Sequence, residues 1–128
     1  MQKKQSGFTL IEMLVVIAMI GLLSAVLLVA LGPSRKKAQD SRIISDLNQI
    51  RSLMESTYNP SNSTYGSPDI SNLVTDVSNN GGSVNSATTT NTYRFYSALA
   101  SNSYYCVDST GFSGVVASSS GISTSTCQ

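Results

Sequence analysis

The chain of 128 residues has no histidine, only two cysteines, and a charged fraction of 12%. Without histidine, and without CxxC spacing, the usual ligand sets for zinc are missing. The commonest general base is also missing, and no serine or cysteine has a recognisable base partner. The aspartates Asp69, Asp76 and Asp108 are scattered and form no DxDxDG calcium loop. These absences predict a protein that is not an enzyme and that needs no metal and no cofactor.

One segment is far more apolar than the rest of the chain. Residues 13–31 carry no charge, and only one glycine and one serine interrupt a run of Ala, Val, Ile, Leu and Met. A helix rises ~1.5 Å per residue and needs about 20 apolar residues to cross a bilayer. Residues 8–32 are therefore long enough to span a membrane, and longer than the apolar core of a secretory signal, roughly 7–15 residues. Glu12 lies at the leading edge of this segment, where a carboxylate requires a partner.

The charges are unevenly distributed. Lys3 and Lys4 precede the apolar segment, and Arg35, Lys36 and Lys37 follow it. Because basic residues lie on both sides, the positive-inside tendency does not fix the orientation in a membrane. Beyond them, acidic residues outnumber arginines, which argues against a nucleic-acid-binding surface. We expect no nucleic acid among the partners.

A glycine-proline pair, Gly32-Pro33, interrupts the apolar run. A proline inside a helix removes a hydrogen bond and kinks the axis, so we predict a kink at this pair. It marks either the point where the helix leaves the membrane or a weak point that lets the helix extend or melt in an assembly.

Helical periodicity resumes after the kink. Opposite charges four residues apart support a helix, and the Asn-Pro pair at residues 59 and 60 is a stop signal. We predict one long helix, with an apolar first half at residues 8–32 and an amphipathic second half at residues 33–60. The apolar face of the second half consists of Ile43, Leu47, Ile50, Met54 and Tyr58.

Residues 61–128 predict a small globular head. Ser, Asn, Thr and Gly dominate residues 61–91, which we expect to be mostly loop. Within that region SPDISNLVTDV predicts a short helix, with Ser67 as the cap and Pro68 in the first helical position. We expect the helix to pack one apolar face against the rest of the head.

Strand patterns begin at residue 92. In TYRFYSA the side chains of Tyr93, Phe95 and Ser97 alternate with the others, and YYCVD and the Val115-Val116 pair predict two further strands. Tyrosines of these strands are expected in the sheet core and at its rim. A small antiparallel sheet packed on the amphipathic helix gives an α+β fold.

Cys106 and Cys127 both lie near the C-terminus. An even number of cysteines beyond a membrane segment predicts one disulfide in an oxidising compartment. Closing a loop of about 20 residues stabilises a small domain by roughly 3 kcal/mol. The alternative is two free thiols in a reducing compartment.

The stretch GFTLIE, residues 7–12, lies behind a short basic leader and ahead of an apolar helix. In this it resembles the type IV pilin and pseudopilin superfamily, in which a prepilin peptidase cuts after the glycine and the new N-terminal phenylalanine is methylated. The resemblance implies a leader at residues 1–7, cleavage between Gly7 and Phe8, methylation of Phe8 and an assembly role for Glu12. A cysteine pair near the C-terminus is common among type IV pilins, and here it would be Cys106 with Cys127.

The resemblance also implies a function and a set of partners. The chain would be a structural subunit of a type IV pilus-like filament, a helical homo-oligomer that also takes up related pilin subunits. Its other partners would be prepilin peptidase and the assembly platform with its ATPase. Before assembly it would cross the bacterial cytoplasmic (inner) membrane once, and afterwards it would form an extracellular or periplasmic filament.

Cleavage would create a partner for Glu12, because it exposes the amine of Phe8. That amine belongs either to the same chain or to the next subunit, where pairing would fix the register of the helices. The alternative is a tolerated charge near the membrane interface.

Two other functions remain open. One is a pseudopilin of a type II secretion or DNA-uptake machine. The other is a membrane-anchored module that never polymerises.

Overall fold

The computed structural model describes residues 7–123 and 125–127, so most of the predicted leader, with Lys3 and Lys4, lies outside the described residues. The chain is α+β, with a long N-terminal helix and a small antiparallel sheet, which confirms the predicted fold class. Its elements in chain order are α1 (Leu10–Ser56), α2 (Ser71–Asn79), β1 (Asn85–Thr88), β2 (Tyr93–Ala98), β3 (Tyr104–Asp108), β4 (Ser113–Val116) and a 3₁₀ turn (Ser119–Gly121).

The chain divides into two compact units, one ending at Arg35 and the other beginning at Lys36. In the first unit every described side chain is exposed, including large apolar ones such as Leu10 and Val29. Helix α1 is long and apolar enough to cross a membrane. Pro33 lies inside α1 with helical backbone on both sides, so the proline does not end the helix. The kink at this pair stays a prediction.

The second half of α1 supplies the core of the second unit. Ile43, Leu47, Ile50 and Met54 are buried, as their spacing predicts. Tyr58 was expected on the same face, but it lies beyond the end of α1 and is 39% exposed.

The helix ends at Ser56, earlier than the sequence predicts. The N–H groups of Thr57 and Tyr58 donate to carbonyls three residues back, which tightens the last turn and ends the α-helical pattern. Asn59 and Thr64 then exchange two backbone hydrogen bonds, at 2.8 and 3.2 Å. Residues 57–60 therefore lie outside the α-helix, and the predicted helical boundary at residue 60 is wrong.

The sheet has four strands in the order β1-β2-β3-β4, with antiparallel neighbours. Side chains of β2 alternate as predicted, with Tyr93, Phe95 and Ser97 buried. Strand β1, with the sequence NSAT, falls in the region expected to be loop. Its sequence is polar and mostly exposed, and it is a strand because it pairs with β2 from Asn85 opposite Tyr96 to Thr88 opposite Tyr93.

Helix α2 exists as predicted but begins later than expected. It starts at Ser71, so Ser67 is not its cap and Pro68 lies before it. The carboxylate of Asp69 accepts a hydrogen bond from the N–H of Ser71 at 2.9 Å and so satisfies a free donor at the helix start. Val77 is the fully buried residue of α2, and it belongs to the same apolar cluster as α1 and the sheet.

Candidate processing and assembly site

Thr9 and Glu12 form a reciprocal hydrogen-bonded pair at the start of α1. The backbone N–H and the hydroxyl of Thr9 each donate to Oε2 of Glu12 at 2.8 Å. The N–H of Glu12 donates to the Thr9 hydroxyl oxygen at 3.3 Å. This arrangement is a capping box, which satisfies donors that have no partner within the helix. Its T-x-x-E pattern is readable in the sequence, so Thr9 is a site residue that the sequence analysis missed.

The capping box leaves one carboxylate oxygen of Glu12 outside these bonds. Both donors of Thr9 go to Oε2, and Oε1 takes no part. The side chain is thereby held in one place while it keeps an oxygen available for a second donor. In an apolar environment such a donor would be a cation, because an unpaired carboxylate is costly there.

Gly7 and Phe8 lie immediately before the helix in irregular backbone, and both are exposed. The Phe8 side chain is 73% exposed. Apart from Gly7 and its chain neighbours, no described residue has an atom within 4 Å of the position a Cβ would take at Gly7. The structure therefore places Gly7, Phe8 and Glu12 at one end of α1, with Gly7 and Phe8 both exposed.

Behind this end, the apolar stretch of α1 presents its large side chains on all sides. Their exposed fractions run from 44% at Val15 to 84% at Leu10. Exposed apolar surface of this extent marks a membrane-facing or partner-facing region. The first unit therefore needs a bilayer or other helices around it, in agreement with membrane anchoring before assembly.

A second cluster lies at the other end of the chain, where Cys106 and Cys127 are joined by a disulfide and are both buried. Asp108, two residues after the first cysteine, is 1% exposed. One of its oxygens accepts the backbone N–H of Cys127 at 2.7 Å. No sequence pattern distinguished Asp108 from other turn-forming aspartates, and its role depends on a residue 19 positions away.

Two carboxyl groups meet between the helices α1 and α2. Asp46 is 4% exposed, and its Oδ2 has no hydrogen-bond partner in the described part of the chain. Burial and the negative charge of Asp76 raise the pKa of Asp46, and the positive charge of Arg42 offsets this in part. Arg42, four residues before Asp46 on the same helix, therefore influences the pKa of Asp46 less than Asp76 does.

The tyrosines lie where a sheet core and its rim were predicted. Tyr93 and Tyr105 are buried in the core. Tyr96 and Tyr104 are partly buried on neighbouring strands, with ring centroids 6.1 Å apart. The aromatic side chains thus support the packing of the sheet.

The chain matches known proteins mainly through its N-terminal part. A family model described as a prokaryotic N-terminal methylation motif matches residues 2–28. The fimbrial protein EcpB of Eikenella corrodens is 43% identical over 53 residues, which cover 41% of this chain and 33% of that protein. The type IV wide pilus major component PilA4 of Thermus thermophilus is 42% identical over 65 residues, covering 51% of this chain and 49% of that protein.

A secretion protein matches over a similar length. The type II secretion system core protein G of Dickeya chrysanthemi is 34% identical over 65 residues, which cover 51% of this chain and 42% of that protein. The matches thus span about a third to a half of the length of these relatives. No solved structure gives a significant match. Relatives from pili and from secretion systems share this N-terminal segment, and its methylation motif is that of the type IV pilin and pseudopilin superfamily.

Proposed function

We propose that the chain is a structural subunit of a type IV pilus-like filament, cut by a prepilin peptidase and assembled through its N-terminal apolar helix. The observation that carries the proposal is the Glu12 carboxylate, held by Thr9 at the front of an exposed apolar helix. The methylation motif that matches residues 2–28 supports the same processing route. Cleavage would fall between Gly7 and Phe8, with methylation on the new N-terminus.

The capping box leaves Oε1 of Glu12 available for a pairing between subunits. Within one chain Oε2 of Glu12 already accepts two hydrogen bonds from Thr9. The amine of Phe8 from a neighbouring subunit can then bind Oε1, and an apolar surrounding strengthens such a charge-assisted contact. A helix shifted along its neighbour would leave both charges unpaired at high cost. Glu12 would thereby set the register of helices in the filament.

A pseudopilin of a type II secretion machine is the second candidate. It is favoured by the likeness to core protein G, which also extends to the protein of that name in Vibrio cholerae, at 30% identity over 79 residues. As either candidate, the chain would have a prepilin peptidase and an assembly platform with its ATPase as partners and would lie in a membrane before assembly. They differ in whether the filament reaches the cell surface, which electron microscopy of surface fibres distinguishes.

Mass spectrometry of the mature N-terminus tests the processing. We expect a chain that begins at a methylated Phe8. A Gly7→Val variant should remain uncut, because its branched side chain would hinder the peptidase at the neighbouring bond. The fold should not change, because the described residues leave space for a side chain at Gly7. A wild-type chain that still begins at Met1, or that is cut within the apolar helix, would contradict the proposal.

Incorporation of Glu12 variants into filaments tests the assembly role. Glu12→Gln removes the charge but keeps an oxygen for the capping box, so we expect the helix start to persist and incorporation to fail. Thr9→Val keeps the charge and removes one hydrogen bond to it, so incorporation should fall less. Asp69→Asn is the matched control, since Asp69 also accepts a helix-start N–H but lies outside the apolar segment. Unaltered incorporation of Glu12→Gln or Glu12→Ala would contradict the assembly role.

A further inference from the structure

In the described part of the chain, Cys127 is attached to the sheet by two contacts of different chemistry. One is the disulfide to Cys106 in β3. The other is the hydrogen bond from the backbone N–H of Cys127 to Oδ2 of Asp108, at 2.7 Å. Both Cys127 and Asp108 are 1% exposed, so water does not compete for this bond in the folded state.

The turn between β3 and β4 fixes the Asp108 carboxylate in place. Its other oxygen, Oδ1, accepts the backbone N–H of Thr110 at 2.9 Å, the Thr110 hydroxyl at 2.6 Å and the N–H of Phe112 at 3.2 Å. The N–H of Asp108 in turn donates to the carbonyl of Phe112 at 3.1 Å. With Oδ1 occupied by the turn, Oδ2 is directed at Cys127.

The charge on Asp108 is stabilised by these donors. Burial favours the neutral acid, but the hydrogen bonds from Thr110, Cys127 and Phe112 outweigh it, and the pKa of Asp108 is lowered. The charged group facing Asp108 from β2 is Arg94, its direct partner in the register. Its guanidinium lies 5.1 Å from the centroid of the Tyr96 ring and donates to the carbonyl of Ser123.

We propose that Asp108 is a second, acid-sensitive attachment point, which keeps Cys127 on the sheet after the disulfide is reduced. Release of Cys127 requires both reduction of the Cys106–Cys127 bond and protonation or removal of the Asp108 carboxylate. The pKa of Asp108 is lowered in the folded state. The attachment is therefore fully present above the ordinary pKa of an aspartate and is lost as pH falls through the lowered pKa. The proposal concerns the head alone and holds whether or not the chain polymerises.

Amide hydrogen exchange of the full chain in detergent micelles tests the proposal. Dithiothreitol supplies the two electrons and two protons that convert the disulfide into two thiols, and it becomes a cyclic disulfide itself. Protection factors, corrected for intrinsic exchange, are then compared for the amides of Cys127 and of Leu47 in the core. The chains are wild type, Asp108→Asn, and Asp69→Asn as the matched control on an exposed aspartate.

In the reduced wild type at neutral pH we expect the Cys127 amide to stay protected. In reduced Asp108→Asn its protection should fall about tenfold or more, as the loss of a hydrogen bond to a charged group implies. Leu47 should stay protected in both chains, and Asp69→Asn should behave as wild type. Acidification of reduced wild type should reproduce the loss seen in Asp108→Asn.

Three results would overturn the proposal. The first is full exchange of the Cys127 amide in reduced wild type at neutral pH. The second is unchanged protection in reduced Asp108→Asn. The third is a parallel loss at Leu47, which would make Asp108 a determinant of the whole head rather than of the attachment of Cys127. Oxidised Asp108→Asn, measured in parallel, should keep Cys127 protected through the disulfide alone.

Discussion

Replacing Gly82 by alanine tests the packing between the two helices and the sheet. A Cβ at Gly82 would lie 2.5 Å from Oγ of Ser97 in β2, 2.8 Å from Cγ1 of Val77 in α2 and 3.1 Å from Cδ1 of Ile43 in α1. Real Cβ atoms essentially never approach closer than 3.0 Å, so Ser97 or Val77 must shift, and the contact with Ile43 is tighter than nine in ten real Cβ contacts. Gly82 is therefore required for the close approach of three elements.

The neighbours of Gly82 have little freedom to move. Ser97 is fully buried, and its hydroxyl accepts the N–H of Ser83 at 3.0 Å and donates to the carbonyl of Ala98 at 3.1 Å. Val77 is also fully buried. Overpacking a buried site costs about 1–3 kcal/mol. A domain of this size loses about 4–8 °C in melting temperature per kcal/mol, so we expect Gly82→Ala to melt roughly 5–20 °C lower.

Thermal unfolding of the oxidised full chain in detergent micelles measures this effect. Near-ultraviolet circular dichroism follows the buried tyrosines of the head, and it is insensitive to the apolar part of α1, which contains no tyrosine. Gly121→Ala is the matched control, because the described residues leave the space around Gly121 open. The control should lie within about 0.5 kcal/mol of wild type.

A double-mutant cycle identifies the cause of the destabilisation. Ser97→Ala removes the atom nearest to the new methyl group but leaves the N–H of Ser83 without its acceptor, which alone costs about 1–3 kcal/mol. The double variant, Gly82→Ala with Ser97→Ala, should lose about 0.5 kcal/mol or more less stability than the sum of the two single losses. A neutral Gly82→Ala, or strictly additive losses, would refute the steric account.

Two further predictions concern ionisable groups of the second unit. The pKa of Asp46 is raised by burial and by Asp76, so its contribution to stability is complete below the unfolded value of 3.8 and is lost as pH rises through the raised folded value. The amide of Asp46→Asn can donate to Asp76 at any pH. In urea titrations its free energy of unfolding should therefore exceed that of wild type by about 1–2 kcal/mol at neutral pH, and the difference should vanish near pH 3.8. An Asp46→Asn chain less stable than wild type at neutral pH would contradict the carboxyl pair. Burial and a hydrogen bond to Glu55 raise the pKa of Tyr93, so wild-type stability should fall as pH rises above the unfolded value of 10.0. The free energy of unfolding of Tyr93→Phe should be about 1 kcal/mol lower than that of wild type at neutral pH and should fall less above pH 10.0. An identical fall in both chains above that pH would contradict this role of Tyr93.

Local patterns in the sequence were sufficient to predict which side chains of a regular helix or strand are buried. Four of the five apolar positions expected on the second half of α1 are buried, and the alternation along β2 is correct. The exception, Tyr58, lies where backbone bonds to carbonyls three residues back end the helix. Those bonds depend on the chain that follows, which folds back so that Asn59 pairs with Thr64.

Long-range contacts decided the features that the sequence left undetermined. Strand β1 has a loop-like composition and exists through its register with β2. The partner of Asp40 is the N–H of Ala100, at 2.6 Å and 60 positions along the chain, rather than the lysine four residues before it. The spacing of charged residues along a helix predicts only partners on that helix, whereas folding brings in partners from distant parts of the chain.

The sequence by itself determined the methylation motif, the apolar half of α1 and the apolar face of its second half. Each of these features depends on residues close together in the sequence. The T-x-x-E pattern of the capping box belongs to the same class. Only the tertiary structure decided the roles of Asp46, Gly82 and Asp108. Each of these roles arises from atoms of elements distant in sequence that meet in a buried place, where packing, charge and hydrogen bonding must be satisfied together.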